Sequence, residues 1–366
     1  MEKRTARELG ISSSTEAQVS LTIHRLADNN PQEEEAWDRF VRASPSGTVF
    51  HLSTWKRVVE KVFKLNAHYL LARRGNEICG VLPLFEIRGL LSGHVLISVL
   101  YGVYGGLCGS DPTARVALLE EARHLAIRLR ARHVELRHLY DLEPDLPTKS
   151  LYTAFAKPLD PDPEVNFTGI PRKQRRMVRQ GVKNGLEARR GWEHLSQFYN
   201  IFVVNKRRLG SPAFPWQLFE AVRDYFGQDV QLLTIWHEGR MVAGVISFFY
   251  EDRVMPYYGA SLPEAFTLAV NDFMYWELMQ EACLAGYKVF DFGRSREGTG
   301  PYDFKRHWGF EPKPLAYQYI LANGTGIPNI SPGNPRLQLF IETWKRLPLP
   351  VTKWLGPALT RWLPLD

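Results

Sequence analysis

The densest group of potentially reactive side chains lies at residues 290–310, near the end of the chain. Arg294, Arg296 and Lys305 stand there among several glycines, after an apolar segment with the composition of a strand. Glycine-rich loops at strand ends commonly bind ligands in α/β proteins, and cations in them suit a phosphate or a developing oxyanion. We therefore predict a ligand-binding loop in which Arg294 and Lys305 stabilise negative charge. The alternative is a structural loop whose arginines pair with carboxylates.

Acyl transfer also requires a group that accepts a proton from the attacking nucleophile. Tyr302 and Asp303 are the candidates for that role in the same segment, and Trp308 is a candidate substrate contact. Tyr258 and Asn271 precede the segment, at the end of a predicted strand and the start of a predicted helix, and are two further candidate substrate contacts. Capping of that helix is the other interpretation of Asn271.

A second cationic feature is the segment at residues 171–183. At helical spacing its cations share one face, and Val178 and Val182 form a narrow apolar stripe. The cations are Arg172, Arg175, Arg176, Arg179 and Lys183. Because like charges on one face repel each other, the pattern favours a bound anion, such as phosphate, pyrophosphate, tRNA or an acidic membrane surface. A solvated face is the alternative.

The C-terminal segment is amphipathic and is interrupted by Pro348, Pro350 and Pro357. Residues 336–366 contain five Lys or Arg and two acidic residues, with Trp344 and Trp354 among apolar residues at helical spacing. Tryptophan on one side and cations on the other are typical of helices that lie in a membrane interface. The pattern predicts binding to an anionic membrane surface, and packing on the protein's own surface is the alternative.

The elements that must position these residues occur in the same order in both halves of the chain. Each half is predicted to contain helices, a hairpin, a further strand, a long helix and a closing strand. The predicted first-half elements are helices at 32–43, 53–62 and 111–131 and strands at 19–23, 68–73, 78–87, 95–104 and 134–137. The predicted second-half elements are helices at 172–183, 194–208 and 268–285 and strands at 231–236, 241–250, 254–259 and 288–293. We predict a disordered segment at 1–18, domains at 19–160 and 161–325, and a tail at 326–366.

Length and composition agree with two globular domains. The chain has 366 residues, of which 45% are hydrophobic and 23% charged, values that exclude a disordered or fibrous protein. The three cysteines are far apart, and no histidine or cysteine spacing indicates a metal site. The N-terminus lacks the apolar core of a signal peptide, and no apolar run reaches the roughly 20 residues of a membrane span. We expect a cytoplasmic protein, peripheral to the inner membrane if the tail binds lipid.

The duplicated unit, the basic segment and the closing motif Asp-Phe-Gly-Arg…Phe-Lys-x-x-Trp-Gly at residues 291–309 together resemble the FemAB family. This family belongs to the GNAT-like superfamily, which also includes BioF2-like acyltransferases. The similarity is strongest to the Fem-type proteins associated with PEP-CTERM, exosortase and exopolysaccharide gene clusters, and it covers residues 20–320 and the tail. The resemblance implies an α/β fold of two tandem GNAT-like domains with mixed sheets, followed by a C-terminal amphipathic tail.

The resemblance also implies an activity and further site residues. Fem transferases move an amino acid from aminoacyl-tRNA to an amine of a peptidoglycan precursor, and the lysine of their Phe-Lys motif, here Lys305, lies at the substrate site. A first-domain segment of the family, which reads Gln…Trp with a nearby lysine, matches residues 51–55, with His51 in place of the glutamine. Trp55 and Lys56 are therefore candidate substrate contacts.

The donor is the least determined part of this prediction. Typical acetyl-CoA-dependent GNAT proteins hold the CoA pyrophosphate on a Gln/Arg-x-x-Gly-x-Gly/Ala loop at a helix N-terminus, whereas residues 257–271 contain Gly259 only. We predict an acyl- or aminoacyltransferase without a bound cofactor or metal. Its donor would be aminoacyl-tRNA or acyl-CoA, and its acceptor a phosphorylated or lipid-linked cell-envelope or exopolysaccharide precursor. A non-catalytic GNAT-fold scaffold at the membrane surface and an acetyl-CoA-dependent N-acetyltransferase are the alternatives, and the oligomeric state stays open.

Overall fold

The computed structural model describes residues 20–89, 93–139, 143–322 and 335–362. The segment predicted to be disordered, residues 1–18, lies outside the described residues. So do two parts of the predicted tail, residues 326–334 and 363–366.

The two halves contain similar elements in a similar order. The described first-half elements are β1 (Leu21–Arg25), α1 (Pro31–Ala43), α2 (Ser53–Phe63), β2 (Leu70–Arg74), β3 (Glu77–Leu82), β4 (Phe85–Gly89), β5 (Gly93–Ile97), α3 (Pro112–Arg128), β6 (His133–Leu136) and β7 (Thr148–Pro158). The second-half elements are α4 (Pro163–Thr168), α5 (Arg172–Lys183), β8 (Glu187–Arg190), α6 (Leu195–Leu209), α7 (Trp216–Phe226), β9 (Val230–His237), β10 (Arg240–Tyr250), β11 (Arg253–Ser261), α8 (Val270–Leu284), β12 (Val289–Ser295), α9 (Gly300–His307) and β13 (Lys313–Leu321). The tail forms α10 (Pro335–Arg346) and α11 (Leu349–Trp362).

The described strands form two sheets. A three-stranded sheet has the order β1-β2-β3, and a ten-stranded sheet has the order β4-β5-β6-β13-β7-β12-β11-β10-β9-β8. Within the larger sheet the pairs β5/β6 and β11/β12 are parallel and the other described pairs are antiparallel. Each parallel pair is joined by one long helix, α3 or α8, because parallel neighbours need a crossover connection.

The larger sheet continues through both halves because β7 and β13 cross between them. Strand β13, from the end of the second half, pairs with β6 of the first. Strand β7, from the end of the first half, pairs with β12 of the second. The boundary at residues 160 and 161 stays a prediction, and the backbone hydrogen bonds of the sheet extend across it.

Alternating residues of the second-half hairpin contact helices on opposite faces of the sheet. On β10, Ile246 and Phe248 belong to the hydrophobic cluster that includes α6 and α7, whereas Ala243 and Val245 belong to the cluster under α8. This is the two-residue period of a strand that is buried on both faces. Because β10 pairs with β11, and β11 with β12, this packing on both faces holds the two strands next to the candidate site in position.

Three predicted elements differ from the structure. The strand predicted at residues 78–87 is two strands in different sheets, β3 and β4, separated by Pro83, which cannot donate a ladder hydrogen bond. The strand predicted at 95–104 ends at Ile97. The predicted glycine-rich loop contains α9, which has Pro301 in its first turn and is followed by Gly309 at φ +76°, both ordinary helix-boundary signals. Strands β7, β8 and β13 and helices α4 and α7 were not predicted.

The tail packs on the protein. Helices α10 and α11 both contact α6, Trp344 is buried, and Tyr101 donates a hydrogen bond to the carbonyl oxygen of Thr360 at 2.7 Å. Among the described residues, no helix has both the length and the apolar character needed to cross a bilayer.

Candidate active site

A groove opens where β11 and β12 separate. The two strands pair only at their first residues, Arg253 with Val289 and Val254 with Phe290. Beyond this point β11 continues to Ser261 along β10, while β12 pairs with β7 and has an irregularity between Asp291 and Arg294. The strand ends therefore splay, and the groove lies between them.

The groove consists of two adjoining cavities of about 530 and 540 Å³. Gly259, Phe292 and Lys305 line both cavities. The first half of the chain contributes Tyr101 and Tyr152 to the wall of the second cavity. The groove is thus built by both halves, at the place in an α/β sheet where ligands commonly bind.

The charged side chains that line the groove are cationic. They are Lys206, Arg208, Arg294, Arg296 and Lys305. Within the described part of the chain, no Asp or Glu lines either cavity. Clefts lined by charge of one sign concentrate ligands of the opposite sign, so the groove suits an anionic substrate.

Lys305 lies at the wall of the groove but is buried. Its Nζ donates to the carbonyl oxygens of Phe292 at 2.7 Å, Arg294 at 3.0 Å and Gly293 at 3.4 Å. Burial lowers the pKa of Lys305 to about 7, an effect that nearby Asp291 opposes. Three carbonyl acceptors match the three donors of an ammonium group, so Lys305 holds the end of β12 in its curved conformation.

Arg294 lies between the aromatic rings of two neighbouring strands. Its guanidinium is 4.4 Å from the ring centroid of Tyr152 and donates to the hydroxyl of Tyr317. Arg137, which pairs with Glu135 at 2.7 Å, lies over the same Tyr317 ring at 5.1 Å. The aromatic contacts limit the rotamers of Arg294 and keep its charge at the groove.

Asp291 is a site residue that the sequence did not reveal. Its buried carboxylate accepts from Arg253 at 2.8 Å, from the backbone N–H of Gly293 at 2.7 Å and from the hydroxyl of Tyr104 at 3.3 Å. These bonds tie together β11, the turn of β12 and the first half of the chain. Asp291 therefore positions the groove rather than contacting its contents.

Two predicted substrate contacts lie in the groove. Tyr258 lines the second cavity and Asn271 the first. The Oδ1 of Asn271 accepts a hydrogen bond from the hydroxyl of Ser261, at 2.5 Å. The N-cap of α8 is Ala269, at φ +62°, so Asn271 belongs to the first turn and does not cap the helix.

Three residues predicted from the closing motif lie away from the groove. Tyr302 is buried in the core, with its ring centroid 5.3 Å from that of Phe155. Asp303 is exposed on α9. Trp308 is fully buried, and its indole nitrogen donates to Asp272 at 3.0 Å. The proton-transfer and binding roles of these residues stay predictions that their positions do not support.

The first-half candidates are also structural in position. Trp55 is fully buried and donates to the carbonyl oxygen of Leu100 at 3.1 Å. The buried ammonium of Lys56 pairs with Asp28 at 2.8 Å and with Glu60 at 3.1 Å. Neither lines the groove, so their roles in substrate binding stay predictions.

The basic helix α5 lies apart from the groove. Its range, Arg172–Lys183, is the predicted one, but its inward stripe is Gln174, Val178 and Gly181 rather than Val178 and Val182, because Val182 is 61% exposed. Gly181 lets α5 approach α8, where a Cβ atom would lie 2.7 Å from that of Phe273. The four candidate binding arginines, which do not line the groove, are Arg172, Arg175, Arg176 and Arg179.

The cations of α5 form no ion pair with the acidic residues that the structure describes. Among the described residues, none of its five Lys or Arg at the predicted face has an Asp or Glu oxygen within 4.0 Å. Arg179 lies over the ring of Phe167, at 5.2 Å. The described residues also contain no cluster of three or more His, Cys, Asp or Glu that could hold a metal ion.

Comparison with known proteins assigns this architecture. Residues 169–306 match the family model described as acetyltransferase (GNAT) domain, and no curated protein sequence matches the chain. The solved structure of FemX is 19% identical, with a TM-score of 0.63, and the alignment covers 79% of this chain and 96% of FemX.

Two other solved structures are similar. The C-terminal domain of a putative lysylphosphatidylglycerol synthetase from Agrobacterium fabrum is 14% identical, with a TM-score of 0.53 and coverage of 85% of this chain and 96% of that one. A tandem GNAT protein from the clavulanic acid biosynthesis pathway is 13% identical, with a TM-score of 0.54 and coverage of 84% and 100%. This chain therefore has the α/β fold of tandem GNAT proteins with mixed sheets, followed by a C-terminal helical tail.

Proposed function

We propose that this protein is a Fem-like acyl- or aminoacyltransferase acting on a phosphorylated or lipid-linked precursor of the cell envelope. The observation that carries the proposal is the groove between β11 and β12. Five cations line it, and among the described residues no carboxylate does. The likeness of the fold to FemX and to a putative lysylphosphatidylglycerol synthetase supports the same class of reaction.

The proposed reaction joins the acyl carbon of the donor to an acceptor amine or hydroxyl. The nucleophile attacks the donor carbonyl, the new C–N or C–O bond forms, and the bond to the leaving oxygen or sulfur breaks as the leaving group receives the proton. Negative charge develops on the carbonyl oxygen, where preorganised cations are most effective. Arg294 and Arg296 are the candidates for this contact, and Lys305 positions the strand end that carries both.

The start of α8 favours aminoacyl-tRNA over acyl-CoA as donor. The connection from β11 to α8 is a 3-10 helix, Pro263–Leu268, where typical GNAT proteins have a glycine-rich pyrophosphate loop. The first turn of α8 also carries Asp272, whose charge opposes a phosphate at the helix N-terminus. The exposed cations of α5, including Arg172 and Arg176, would hold an extended polyanion such as tRNA outside the groove.

The finer parts of the proposal depend on the resemblance of the closing motif. On that basis we propose that the acceptors include exopolysaccharide precursors and that the gene belongs to a PEP-CTERM and exosortase cluster. We also propose that the enzyme is cytoplasmic. An acetyl-CoA-dependent N-acetyltransferase is the second candidate, because the family model that matches residues 169–306 is described as an acetyltransferase.

Transfer from labelled donors tests the proposal. Full-length protein is incubated with labelled aminoacyl-tRNA or labelled acetyl-CoA, together with an extract of envelope precursors. We expect label from aminoacyl-tRNA to reach a phosphorylated acceptor, in a reaction that ribonuclease abolishes. Label from acetyl-CoA would support the second candidate, and label from neither donor would support a non-catalytic scaffold.

A matched lysine pair locates the reaction. Lys305→Met keeps the side-chain volume but removes the donor that holds the end of β12, and we expect transfer to fall by about 10²-fold because Arg294 and Arg296 are displaced. Lys313→Met changes an exposed lysine at the start of β13 and should leave the rate unchanged. Thermal unfolding checks that both variants are folded. A folded Lys305→Met variant with wild-type turnover would show that the groove is not the active site.

A further inference from the structure

Helix α11 turns its small and hydroxylated residues toward the protein. Thr352, Gly356 and Thr360 are buried and recur every fourth residue, so they form one stripe. Gly356 allows a close approach to the backbone, since a Cβ atom there would lie 3.1 Å from the nitrogen of Ala213. The stripe that most surface helices fill with apolar residues is, in α11, small and polar.

Some large apolar residues of the tail are exposed instead. Trp354 is 79% exposed and Leu339, on α10, is 70% exposed. Leu349 and Val351 are also exposed. Helices of water-soluble domains normally bury this side, and grouped exposed apolar residues mark interaction surfaces. We define the outward face of the tail by its two most exposed apolar side chains, Leu339 and Trp354.

The charge around this face is positive. Residues 335–362 contain five Lys or Arg and a single acid, Glu342. Lys353 is adjacent to Trp354 and is held by the side chain of Asn200, at 2.9 Å. Exposed tryptophan beside lysine is the composition of a surface that sits between lipid headgroups and acyl chains.

The outward face is fixed to the wall of the groove. Arg207 of α6 donates to the carbonyl oxygen of Leu347 at 2.6 Å, and Tyr101 donates to that of Thr360 at 2.7 Å. Tyr101 and Phe214, the residue after the one that Gly356 contacts, both line the groove. The outward face and the groove are therefore built on the same packed elements. A surface bound by the outward face would be held at a fixed position relative to the groove.

We propose that the outward face of the tail docks on an anionic lipid bilayer. At 14 residues α11 is too short to span the membrane, because a span requires about 20 residues, so the helix lies in the interface. A second copy of this chain is disfavoured as the occupant, because a symmetric contact would bring like charges together. The docking would hold the groove at a fixed position relative to a bilayer that carries headgroup-linked acceptors, a consequence that rests on the proposed function.

Vesicle sedimentation tests the docking. Full-length protein is spun with vesicles of phosphatidylcholine, with or without phosphatidylglycerol. We expect it to pellet with the anionic vesicles only. The double variant Leu339→Ser/Trp354→Ser should lose at least about tenfold in partitioning, because each side chain contributes a large apolar surface to the interface.

The matched control changes two equally exposed apolar residues elsewhere. Val116→Ser/Leu284→Ser, on α3 and α8, should pellet as the wild type does. The proposal is overturned if wild-type protein stays in the supernatant, if both double variants lose binding equally, or if Leu339→Ser/Trp354→Ser instead abolishes a concentration-dependent dimer. Transfer to a water-soluble precursor is measured separately, so failure of docking is distinguishable from failure of the proposed function.

Discussion

The two parallel crossovers of the large sheet, β5–α3–β6 and β11–α8–β12, share a topology and differ in the path of the chain beside the first strand. After β5 the chain turns across the space beside β6. The backbone N–H of Ser98 donates to the carbonyl oxygen of Glu135 at 2.9 Å, and that of Gly105 to Arg137 at 3.0 Å. After the start of β11 the corresponding space is the groove.

The buried histidines of the closed crossover are neutral. Residues 98–109 are buried, and His51 and His138 lie against Gly106. Burial lowers the pKa of His51 to about 4 and that of His138 to about 3, so both imidazoles are uncharged at neutral pH. The two arginines that contact the closed loop, Arg137 and Arg115, are paired with Glu135 and Glu143. Among the described residues no carboxylate lines the open crossover, so its cations are the ones suited to bind an anion.

The difference between the two crossovers shows that the two copies of the α/β unit have different roles. The closed loop of the first half contributes to the site, because its residues Tyr101 and Val103 line the groove of the second half. Hydrogen bonds hold this loop in place on two sides. Its backbone N–H groups donate to carbonyl oxygens in and next to β6, and the hydroxyl of Tyr101 donates to the tail. One copy of the unit supports the site and the other contains it.

Substitution of one glycine in each crossover tests whether the first space is packed and the second is open. Gly106→Ala places a Cβ atom 2.3 Å from Nδ1 of His138, so we expect a loss of about 1–3 kcal/mol in the free energy of unfolding, as for other overpacked core sites. Gly259→Ala meets only the hydroxyl of Tyr275 at close range, at 3.0 Å. We expect a change below about 1 kcal/mol in stability but a rise in KM, because the groove narrows.

Denaturant unfolding and steady-state transfer measure the two effects. Equal destabilisation by the two substitutions would mean that the second-half space is packed rather than open. A Gly259→Ala variant with wild-type KM would mean that substrate does not pass this part of β11.

Arginine pairs sharpen the comparison between the groove and helix α5. Arg294→Gln/Arg296→Gln should weaken binding of inorganic pyrophosphate by about 10²- to 10⁴-fold, since two charge-assisted contacts are lost and each contributes on the order of 1.5–3 kcal/mol. Arg172→Gln/Arg176→Gln, on the exposed face of α5, should leave pyrophosphate binding unchanged and flatten the salt dependence of tRNA binding. Titration calorimetry and filter binding at several salt concentrations provide these measurements.

Local patterns predicted the parts of the fold that depend on local forces. Helix α5 was predicted to the residue, because its cations recur at helical spacing and mark one face. Strand β7 was missed because its partners, β12 and β13, are more than a hundred residues away along the chain. The alternation of polar and apolar residues along β7 is also weak.

The candidate site was predicted in composition and not in geometry. The cations of the closing motif were identified, and Arg294 and Lys305 do lie at the groove. The burial of Lys305 was not foreseeable, because its partners are backbone carbonyls. Asp291 was missed because Arg253 and Tyr104, which explain it, lie in other elements.

The first turns of α3 and α8 provide the smallest expected effect. Asp111 caps α3 by accepting from the backbone N–H groups of Thr113 and Ala114. Asp272 instead lies inside the first turn of α8, where burial raises its pKa from 3.8 to about 6 and the hydrogen bond from Trp308 opposes the rise. Burial of a carboxylate that is only partly compensated is a stability cost at neutral pH.

That cost has a defined pH window. Below pH 3.8 the carboxyl is protonated in both the folded and the unfolded states, so it has no effect on stability. Between pH 3.8 and about 6 the unfolded state ionises first, and the wild type loses stability as the pH rises. An amide in this position cannot ionise, so Asp272→Asn should be more stable than the wild type by about 1–3 kcal/mol above pH 6 and show no such gain at pH 4. Denaturant unfolding at pH 4, 5, 6 and 8 gives the difference directly. A gain of the same size at every pH would mean that Asp272 acts through packing, and the electrostatic contrast between the two helix starts would then be wrong.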